Sequence, residues 1–206
     1  MTLLVVGASG LLGAQLCREA LARAARAGAT ATGPVVGTYH RRPGDLAGVA
    51  WHRLDLRNRA AVADLVAAVR PTVVINCGYR YDEWAVTADG AAHVAAASAA
   101  TGARLVHVSS DAVHAGRPAA YSDGEPPTPV FAYGAAKAAA ETAVRVLDPS
   151  AVVVRTSLIL GDADSQQIRL CLDLLTGRTA GFLFSDEVRC PVAVTDRAAA
   201  VWELAG

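Results

Sequence analysis

Three features are missing from this sequence of 206 residues, and each absence argues against a class of protein. The 19 basic residues are balanced by 19 acidic ones and are scattered rather than clustered, which argues against nucleic-acid binding. No apolar run reaches the length of a membrane span, and no basic leader precedes the first apolar run, at residues 3–6. We therefore expect a cytoplasmic protein that binds neither nucleic acid nor a membrane.

The cysteines and histidines lack the close spacing that zinc sites and redox pairs require. The cysteines are far apart, at Cys17, Cys77, Cys171 and Cys190. We expect them to be reduced residues of the core. His40 and His52 do not have metal-ligand spacing, and His107 lies inside a predicted strand, where a core position is expected. The sequence therefore predicts no metal site.

The chain does contain a regular alternation of short apolar runs and alanine-rich helical stretches. This order is typical of a parallel sheet covered by helices on both faces. Strands are predicted at Leu3–Val6, Val35–Tyr39, Thr72–Cys77, Arg104–Ser109 and Ala151–Thr156, with a minor strand near Ala50–Leu54. Helices are predicted at Leu11–Ala27, Arg59–Val69, Val86–Thr101 and Tyr133–Leu147. The predicted fold class is α/β, a Rossmann-type doubly wound parallel sheet.

Two loops interrupt this alternation. The segment Gly116–Pro129 contains four prolines, two glycines and two acidic residues, which predicts a loop before the fourth helix. A loop at this place overhangs the carboxyl ends of the strands, where open α/β sheets bind their ligands. The other loop, Gly28–Pro34, is predicted to be a spacer.

A glycine pattern stands between the first predicted strand and the first predicted helix. In that context glycines allow backbone N–H groups to approach a pyrophosphate at the helix N-terminus. An ordinary tight turn is the alternative, but the flanking strand and helix favour a dinucleotide site. The predicted cofactor contacts in this segment are Gly7, Ser9, Gly10, Leu11, Leu12 and Gly13.

The end of the second strand bears on which nicotinamide cofactor binds. An acidic residue there would bind the ribose hydroxyls and repel a 2′-phosphate, but this chain has His40-Arg41-Arg42. Guanidinium groups bind phosphate well, so NADP(H) is favoured over NAD(H), although solvated loop charges are the alternative. Asp55 is placed to meet the adenine edge. The other predicted cofactor contacts are His40, Arg41, Arg42, Leu56, Cys77 and Gly78.

Tyr133 and Lys137 are four residues apart in a predicted helix and therefore project from the same face. A phenol can donate a proton, and an adjacent positive charge lowers the pKa of an acidic group by roughly 1 to 3 units. The alternative is an aromatic residue packed on the core beside a solvated lysine. Together with the glycine loop, the pair indicates a nicotinamide-dependent reductase.

These motifs occur in an order that resembles a known family. The glycine loop is followed by His107-Val108-Ser109-Ser110-Asp111, by Tyr133 and Lys137 with Glu141, and by Arg155-Thr156-Ser157. From residue 1 to about residue 161, the chain resembles the extended short-chain dehydrogenase/reductases, and most of all their dTDP-4-dehydrorhamnose reductase branch. Several motifs in the same order are more specific than any one of them.

The resemblance implies a catalytic triad of Ser110, Tyr133 and Lys137. Tyr133 would give its proton to a substrate carbonyl while Ser110 polarises the same oxygen. Lys137 would hold the nicotinamide ribose, contact the cofactor together with Tyr133, and lower the tyrosine pKa. Related dehydratases carry Asp-Glu where this chain has Asp111-Ala112, so dehydration is disfavoured.

The resemblance also implies a domain division: a NAD(P)-binding Rossmann domain over residues 1–160, and a short C-terminal substrate-binding segment over residues 161–206. Within that segment we predict helices at Ser165–Leu175 and Asp196–Leu204 and a strand at Phe182–Ser185. Arg189 lies in a segment similar to the family's Arg-x-Pro stretch. It would contact a substrate phosphate or form a salt bridge to Asp186 or Asp196.

The sequence predicts fewer contacts for the substrate pocket than for the cofactor site. Asp111, Arg80 and Arg189 are the predicted substrate-binding residues. The aromatic residues around Arg80, in the loop Gly78–Trp84, either line that pocket or cover a sheet edge, and the sequence leaves both open.

The function predicted from the sequence is NADPH-dependent reduction of a keto group, on a nucleotide-linked 4-keto sugar or a similar polar ketone. One alternative is a catalytically silent NADP(H)-binding regulatory subunit, because the regulatory β subunit of methionine adenosyltransferase belongs to this branch and the C-terminal segment is short. A sugar-nucleotide epimerase is the other alternative. The expected partners are the keto substrate and a second copy of the chain in a homodimer.

Overall fold

The computed structural model describes residues 1–27, 33–162, 165–186 and 188–206. The main strands are β1 (Leu3–Val6), β2 (Val35–Tyr39), β3 (Val49–Arg53), β4 (Val73–Asn76), β5 (Arg104–Val108) and β6 (Val152–Val154). All pair in parallel, in the order β3-β2-β1-β4-β5-β6. The predicted Rossmann-type sheet is confirmed. Of the predicted spacer loop, residues 28–32 lie outside the described residues.

The helices are α1 (Leu11–Ala27), α2 (Arg59–Val69), α3 (Gly90–Thr101), α4 (Ala132–Leu147), α5 (Gln166–Leu175) and α6 (Val194–Ala205). A five-residue π-helical turn, Ala85–Asp89, leads into α3, where the sequence predicted one continuous helix. The prediction was close because both helix types repeat the same amide-to-carbonyl pattern, and they differ only in the spacing of the hydrogen bonds.

Each face of the sheet is covered by a different set of helices. Along β1 the side chains alternate: Leu3 and Val5 belong to one buried cluster, and Leu4 and Val6 belong to the other. The first cluster includes residues of α1 and α6, and the second includes residues of α2, α3 and α4. Because both faces are covered, all four residues of β1 are buried.

The C-terminal segment contributes to the same core as the N-terminal one. Ala198, Val201 and Trp202 of α6 are buried in the cluster that contains Leu16 of α1. The core therefore crosses the predicted domain boundary near residue 160, and the division itself stays a prediction. No helix in the described part of the chain is long and apolar enough to cross a membrane.

Two details of this segment differ from the prediction. Phe182–Ser185 was predicted to be a strand, but these residues lie outside helices and strands and their side chains are exposed. A strand requires a partner, and here the Phe182 and Phe184 rings pack only edge-on against each other, with centroids 5.5 Å apart. The strand pair that forms instead joins β7 (Ile159–Leu160) and β8 (Val192–Ala193) in parallel.

Candidate active site

Two adjoining cavities lie at the carboxyl ends of the parallel strands. The first cavity has a volume of about 320 Å³ and the second has a volume of about 630 Å³. Gly7, Gly10, Cys77 and Tyr79 line both of them. A ligand of dinucleotide length can therefore lie across the glycine loop with one half in each cavity. This position matches the rule that open α/β sheets bind ligands where the strand order reverses, here between β1 and β4.

The glycine loop is folded tightly against the end of β4. Gly7 has a φ of +77°, and a Cβ atom there would lie 3.0 Å from the Gly78 Cα. A Cβ at Gly13 would overlap the Gly7 carbonyl. The Gly7 N–H donates a 3.0 Å hydrogen bond to Thr38 Oγ1, a contact not expected from the sequence. Since the first N–H groups of α1 have no partner within the helix, this turn can accept a phosphate group.

The first cavity contains the residues predicted to bind the 2′-phosphate and the adenine edge, together with other predicted cofactor contacts. Its lining includes His40, Arg41, Arg42, Asp55, Leu56 and Gly78. The exposed Arg41 and Arg42 follow His40, the first residue after β2. The side chain of Arg57, which was missed in the sequence, donates hydrogen bonds of 2.6–3.1 Å to the Asp55 carboxylate. These hydrogen bonds lower the pKa of Asp55 to about 2, so this residue is ionised at neutral pH.

Arg80 also lines the first cavity, whereas Tyr133 lines the second. The Arg80 Nε lies 3.1 Å from a carboxylate oxygen of Glu83, and the other Glu83 oxygen lies 2.9 Å from Arg57. These ion pairs connect the loop after β4 to the residues around Asp55. The structure therefore places Arg80 beside the predicted adenosine site, and its substrate contact stays a prediction.

The second cavity brings together Ser110, Tyr133 and Lys137. Ser110 follows β5 and caps a short 3₁₀ turn, with its Oγ accepting a 3.2 Å hydrogen bond from the Ala112 N–H. Tyr133 is the second residue of α4, and Lys137 lies about one turn further along. Residues far apart in the sequence thus meet because a strand end and a helix N-terminus adjoin. Their catalytic roles remain a prediction.

The pKa of Tyr133 differs from the value expected from the sequence. Burial raises the pKa of Tyr133, the nearby Tyr79 raises it further, and hydrogen bonding between the Tyr133 and Ser110 side chains acts in the opposite direction. Lys137, which was expected to lower the tyrosine pKa, is only 2% exposed and donates a 2.9 Å hydrogen bond to the Val108 carbonyl. The pKa of Tyr133 is therefore raised and not lowered as expected, because burial outweighs the opposing effect of Ser110.

Burial also acts on Lys137 itself and lowers its pKa to about 8. The ammonium form still predominates at neutral pH. Since the phenol of Tyr133 is protonated under the same conditions, the cavity holds a proton donor together with a buried positive charge. A proton donor held in such a cavity is able to protonate a carbonyl oxygen.

Aromatic side chains of the loop after β4 cover the Tyr133 ring. Tyr81 stacks on it with ring centroids 4.7 Å apart, and the Tyr79 centroid lies at 5.7 Å. Both side chains line the second cavity, so the loop lines a pocket, one of the two interpretations left open by the sequence. Thr87 in the π-helical turn holds this loop, because its hydroxyl bonds to both the N–H and the carbonyl of Arg80.

An ion pair at the second cavity joins two predicted substrate contacts. The Arg189 Nη2 lies 3.6 Å from the Asp111 Oδ1, and each side chain is 40% exposed. The sequence had suggested Asp186 or Asp196 as partners, and Asp111 was not expected. Both residues of this pair also line the cavity.

The four cysteines differ in their burial, although all four were predicted to be core residues. Cys17 is buried, but Cys77 and Cys171 are partly buried and Cys190 is exposed, so the prediction of four core residues is wrong. Cys190 belongs to the segment before β8, where the chain runs over the surface. Within the described ranges, no group of three His, Cys, Asp or Glu side chains could hold a metal ion.

A family model, described as the RmlD substrate binding domain, matches residues 1–206. The chain belongs to this family. The resemblance drawn from the motifs is thereby confirmed, and the family comprises NAD(P)-dependent sugar-nucleotide reductases of the extended short-chain type.

Curated relatives share the family but are longer. The dTDP-4-dehydrorhamnose reductase of Mycobacterium tuberculosis (strain H37Rv) is 30% identical over 219 residues, which cover 98% of this chain and 65% of the relative. The protein of the same name from Streptomyces griseus is 37% identical over 172 residues, which cover 77% of this chain and 50% of the relative. The chain thus spans between half and two thirds of the length of these relatives.

Solved structures agree with this assignment. The dTDP-4-dehydrorhamnose reductase of Bacillus anthracis in complex with NADP superposes with a TM-score of 0.76 at 27% identity, covering 98% of this chain and 70% of that one. The Bordetella bronchiseptica enzyme WbmH in complex with NAD⁺ has a TM-score of 0.82 at 19% identity, covering 98% and 71%. The second likeness shows the fold alone. Structural relatives therefore bind either NADP or NAD.

Proposed function

We propose that this chain binds NADPH and uses it to reduce the keto group of a nucleotide-linked 4-keto sugar. The observation that carries the proposal is the joint lining of the second cavity by Ser110, Tyr133 and Lys137, directly beside the glycine loop. A dinucleotide held by that loop extends from the first cavity into the second, toward the Tyr133 hydroxyl.

The roles of the three residues follow from their chemistry. The bound NADPH supplies the hydride. Tyr133, whose pKa is raised by burial, is protonated at neutral pH and donates its proton to the carbonyl oxygen of the substrate. Ser110 donates a hydrogen bond to the same oxygen and stabilises the charge that develops there. Lys137, which lines the same cavity, holds the nicotinamide ribose through hydrogen bonds from its ammonium group.

The proposed preference for NADPH is supported by the arginines that follow β2. The two exposed guanidinium groups of Arg41 and Arg42 line the first cavity and are positioned to bind a 2′-phosphate. NADP is the cofactor named for the Bacillus anthracis structure, the more similar of the two in sequence. The Asp55 carboxylate is neutralised by Arg57 and so repels a phosphate less than an unpaired acid would.

The proposed substrate class is supported by charged and aromatic residues that line the second cavity. Arg189 lines this cavity with its guanidinium near Asp111, and a substrate diphosphate would replace that carboxylate as its partner. Tyr79 and Tyr81 supply apolar surface beside the reacting centre. Several curated relatives are named as reductases of dTDP-linked keto sugars, which supports this class for the present chain.

The test is NADPH oxidation that depends on dTDP-4-dehydrorhamnose. We expect turnover by the purified chain and its loss in Tyr133→Phe, which keeps the ring but removes the proton donor, with NADPH binding retained. Tyr121→Phe is the matched control, since Tyr121 stacks on His114 outside both cavities. NADPH binding without turnover of any keto sugar would contradict the proposal and favour the regulatory-subunit alternative.

A further inference from the structure

A buried carboxylate that no step of the proposed reaction uses lies behind the second cavity. Glu141 is eight residues after Tyr133 in α4 and is 0% exposed. Ser109 donates a 2.6 Å hydrogen bond to its Oε1. Arg155 donates to the same carboxylate through Nε at 3.0 Å and through Nη2 at 2.9 Å. One side chain of α4 is thus bound to residues at the ends of both β5 and β6.

The carboxylate of Glu141 is ionised. Burial by itself would raise the pKa of this group, but the hydrogen bonds from Arg155 and Ser109 outweigh burial and hold it below its ordinary value. A buried ion pair is often no more stabilising than a well-packed apolar pair of the same volume. What such a pair does supply is a fixed geometry, because charge-assisted and bidentate hydrogen bonds are directional.

Ser109 connects the Glu141 carboxylate to the backbone of the next residue, Ser110. The Ser109 hydroxyl is bound to Glu141, and Ser109 and Ser110 both line the second cavity. The backbone is fixed on both sides of Ser110, by a 2.7 Å hydrogen bond from the Ser109 N–H to Val154 and one of 2.8 Å from the Asp111 N–H to Thr156.

Arg155 extends the same network to the loop before α4. Its Nη1 donates to the Glu125 carbonyl at 3.0 Å and lies 3.3 Å from the His114 Nε2. This loop leads from the 3₁₀ turn after Ser110 to the helix that carries Tyr133. The cluster of Ser109, Glu141 and Arg155 therefore connects the segment that holds Ser110 with the segment that holds Tyr133.

We infer that Glu141 is a positioning residue, which sets the place of the Ser110 hydroxyl relative to the Tyr133 hydroxyl through Ser109 and Arg155. Its kinetic consequence rests on the proposed function, whereas the structural relation between Ser110 and Tyr133 can be measured without turnover. Glu141 itself does not contact the second cavity and is not a catalytic residue.

The kinetic test compares three variants. Glu141→Gln keeps the shape but removes the charge, and Ser109→Ala removes only the linking hydroxyl. Arg145→Ala is the control, because Arg145 is half exposed and lies 3.4 Å from the Glu141 Oε2, whereas Ser109 is bound to Oε1. We expect kcat to fall by about tenfold to a hundredfold in the first two, with the Kd for NADPH unchanged, and to stay near wild type in Arg145→Ala.

A second measurement separates positioning from a general structural role. In protein labelled with ¹³C at tyrosine Cζ, the Tyr133 resonance is assigned by its loss in Tyr133→Phe. We expect this resonance to shift in Glu141→Gln and in Ser109→Ala, because the hydrogen bond to Ser110 changes, and to stay in place in Arg145→Ala. An unshifted resonance in folded Ser109→Ala would overturn the inference, even if kcat falls.

The two proposals fail in different ways. If the wild-type protein reduces no keto sugar, the proposed function fails, and the tyrosine resonance still decides the role of Glu141. If Glu141→Gln does not fold, Ser109→Ala decides, since it leaves the Glu141–Arg155 ion pair in place. Equal losses of kcat in Arg145→Ala and Ser109→Ala would contradict the inference, because they would reflect charge near α4 and not the position of Ser110.

Discussion

The Tyr81 ring lies nearly parallel to the Tyr133 ring, with centroids 4.7 Å apart and planes inclined by 21°. Tyr81 is itself 65% exposed, so the side chain that covers the proposed proton donor belongs to the surface and not to the core. Tyr79 approaches the same ring and also lies over Lys137, whose Nζ is 5.1 Å from its centroid. The environment of Tyr133 therefore depends on a loop whose side chains contact solvent.

Replacing Tyr81 tests whether its ring, which stacks on Tyr133, also contacts the substrate. We expect Tyr81→Ala to raise the KM for the keto sugar by about threefold to tenfold, as loss of one aromatic contact implies, with the Kd for NADPH unchanged. Tyr81→Phe keeps the ring and is expected to behave like wild type. Steady-state kinetics and a fluorescence titration with NADPH measure both constants. Equal KM values in the Ala and wild-type proteins would show that substrate does not use the ring.

The parts of the fold that the sequence predicted are those with local causes. The buried run Leu3–Val6 followed by glycines and a helical stretch specifies a strand, a tight turn and a helix within residues 1–27. Tyr133 was predicted from its spacing to Lys137 in a helical stretch, whereas Ser110 was assigned through the resemblance to the family. Phe182–Ser185 was mistaken for a strand, because local β-propensity does not reveal whether a partner strand exists.

The contacts that were missed join residues distant in sequence. Gly7 meets Thr38 across 31 positions, and Ser109 meets Glu141 across 32. Helical spacing also does not predict whether the Lys137 amine points at Tyr133 or at the Val108 carbonyl, because the packing around the side chain decides this. Arg57, two residues after Asp55, had a local signal, because an acid and an arginine at this spacing can pair. The pair of Arg80 and Glu83, three residues apart, had a similar one.

The core position of Trp202 supports a prediction about stability. Trp202 of α6 is 6% exposed and packs in the cluster that contains α1, so Trp202→Ala is expected to destabilise the protein by about 3–5 kcal/mol. The exposed neighbour Glu203 provides the control, since Glu203→Ala should change the free energy of unfolding by less than about 0.5 kcal/mol. Urea unfolding followed by circular dichroism measures both. A small effect in both variants would mean that α6 is not part of the core.

Buried His107 gives a prediction about pH. Burial, with a contribution from Lys137, lowers its pKa to about 3 from the ordinary histidine value of 6.5. Between these values the unfolded chain binds a proton that the folded protein does not. Stability is therefore expected to be fully present above pH 6.5 and to fall as the pH decreases toward 3, by at most about 1.4 kcal/mol per pH unit from this group.

The contribution of His107 is isolated by comparison with His107→Gln, whose amide can accept the hydrogen bond that Asn76 offers at 3.2 Å. The variant lacks the titrating group, so its free energy of unfolding is expected to fall less steeply than that of wild type over this pH range. Denaturant unfolding at a series of pH values gives both slopes. Identical slopes would mean that His107 is protonated in the folded protein.

Arg41 and Arg42 provide the most direct test of cofactor choice. Both line the first cavity and lie two and three residues after the end of β2. This is the place where a Rossmann-type site distinguishes the 2′-phosphate of NADPH from the ribose hydroxyl of NADH. If they bind that phosphate, Arg41→Ala/Arg42→Ala should weaken NADPH binding by at least about tenfold and leave NADH binding nearly unchanged. A protein that binds the two cofactors equally well before mutation would contradict the preference.

The two arginines also change the net charge, and a general electrostatic effect must be distinguished from a specific one. Arg18→Ala/Arg59→Ala removes the same charge from exposed positions that line neither cavity. A contact with the phosphate predicts that only the Arg41/Arg42 variant loses affinity for NADPH. A long-range field predicts equal losses in both variants, and these losses should disappear at high salt, where charges beyond about one Debye length are screened. Calorimetric titrations at two salt concentrations separate these outcomes, because a contact persists where a field does not.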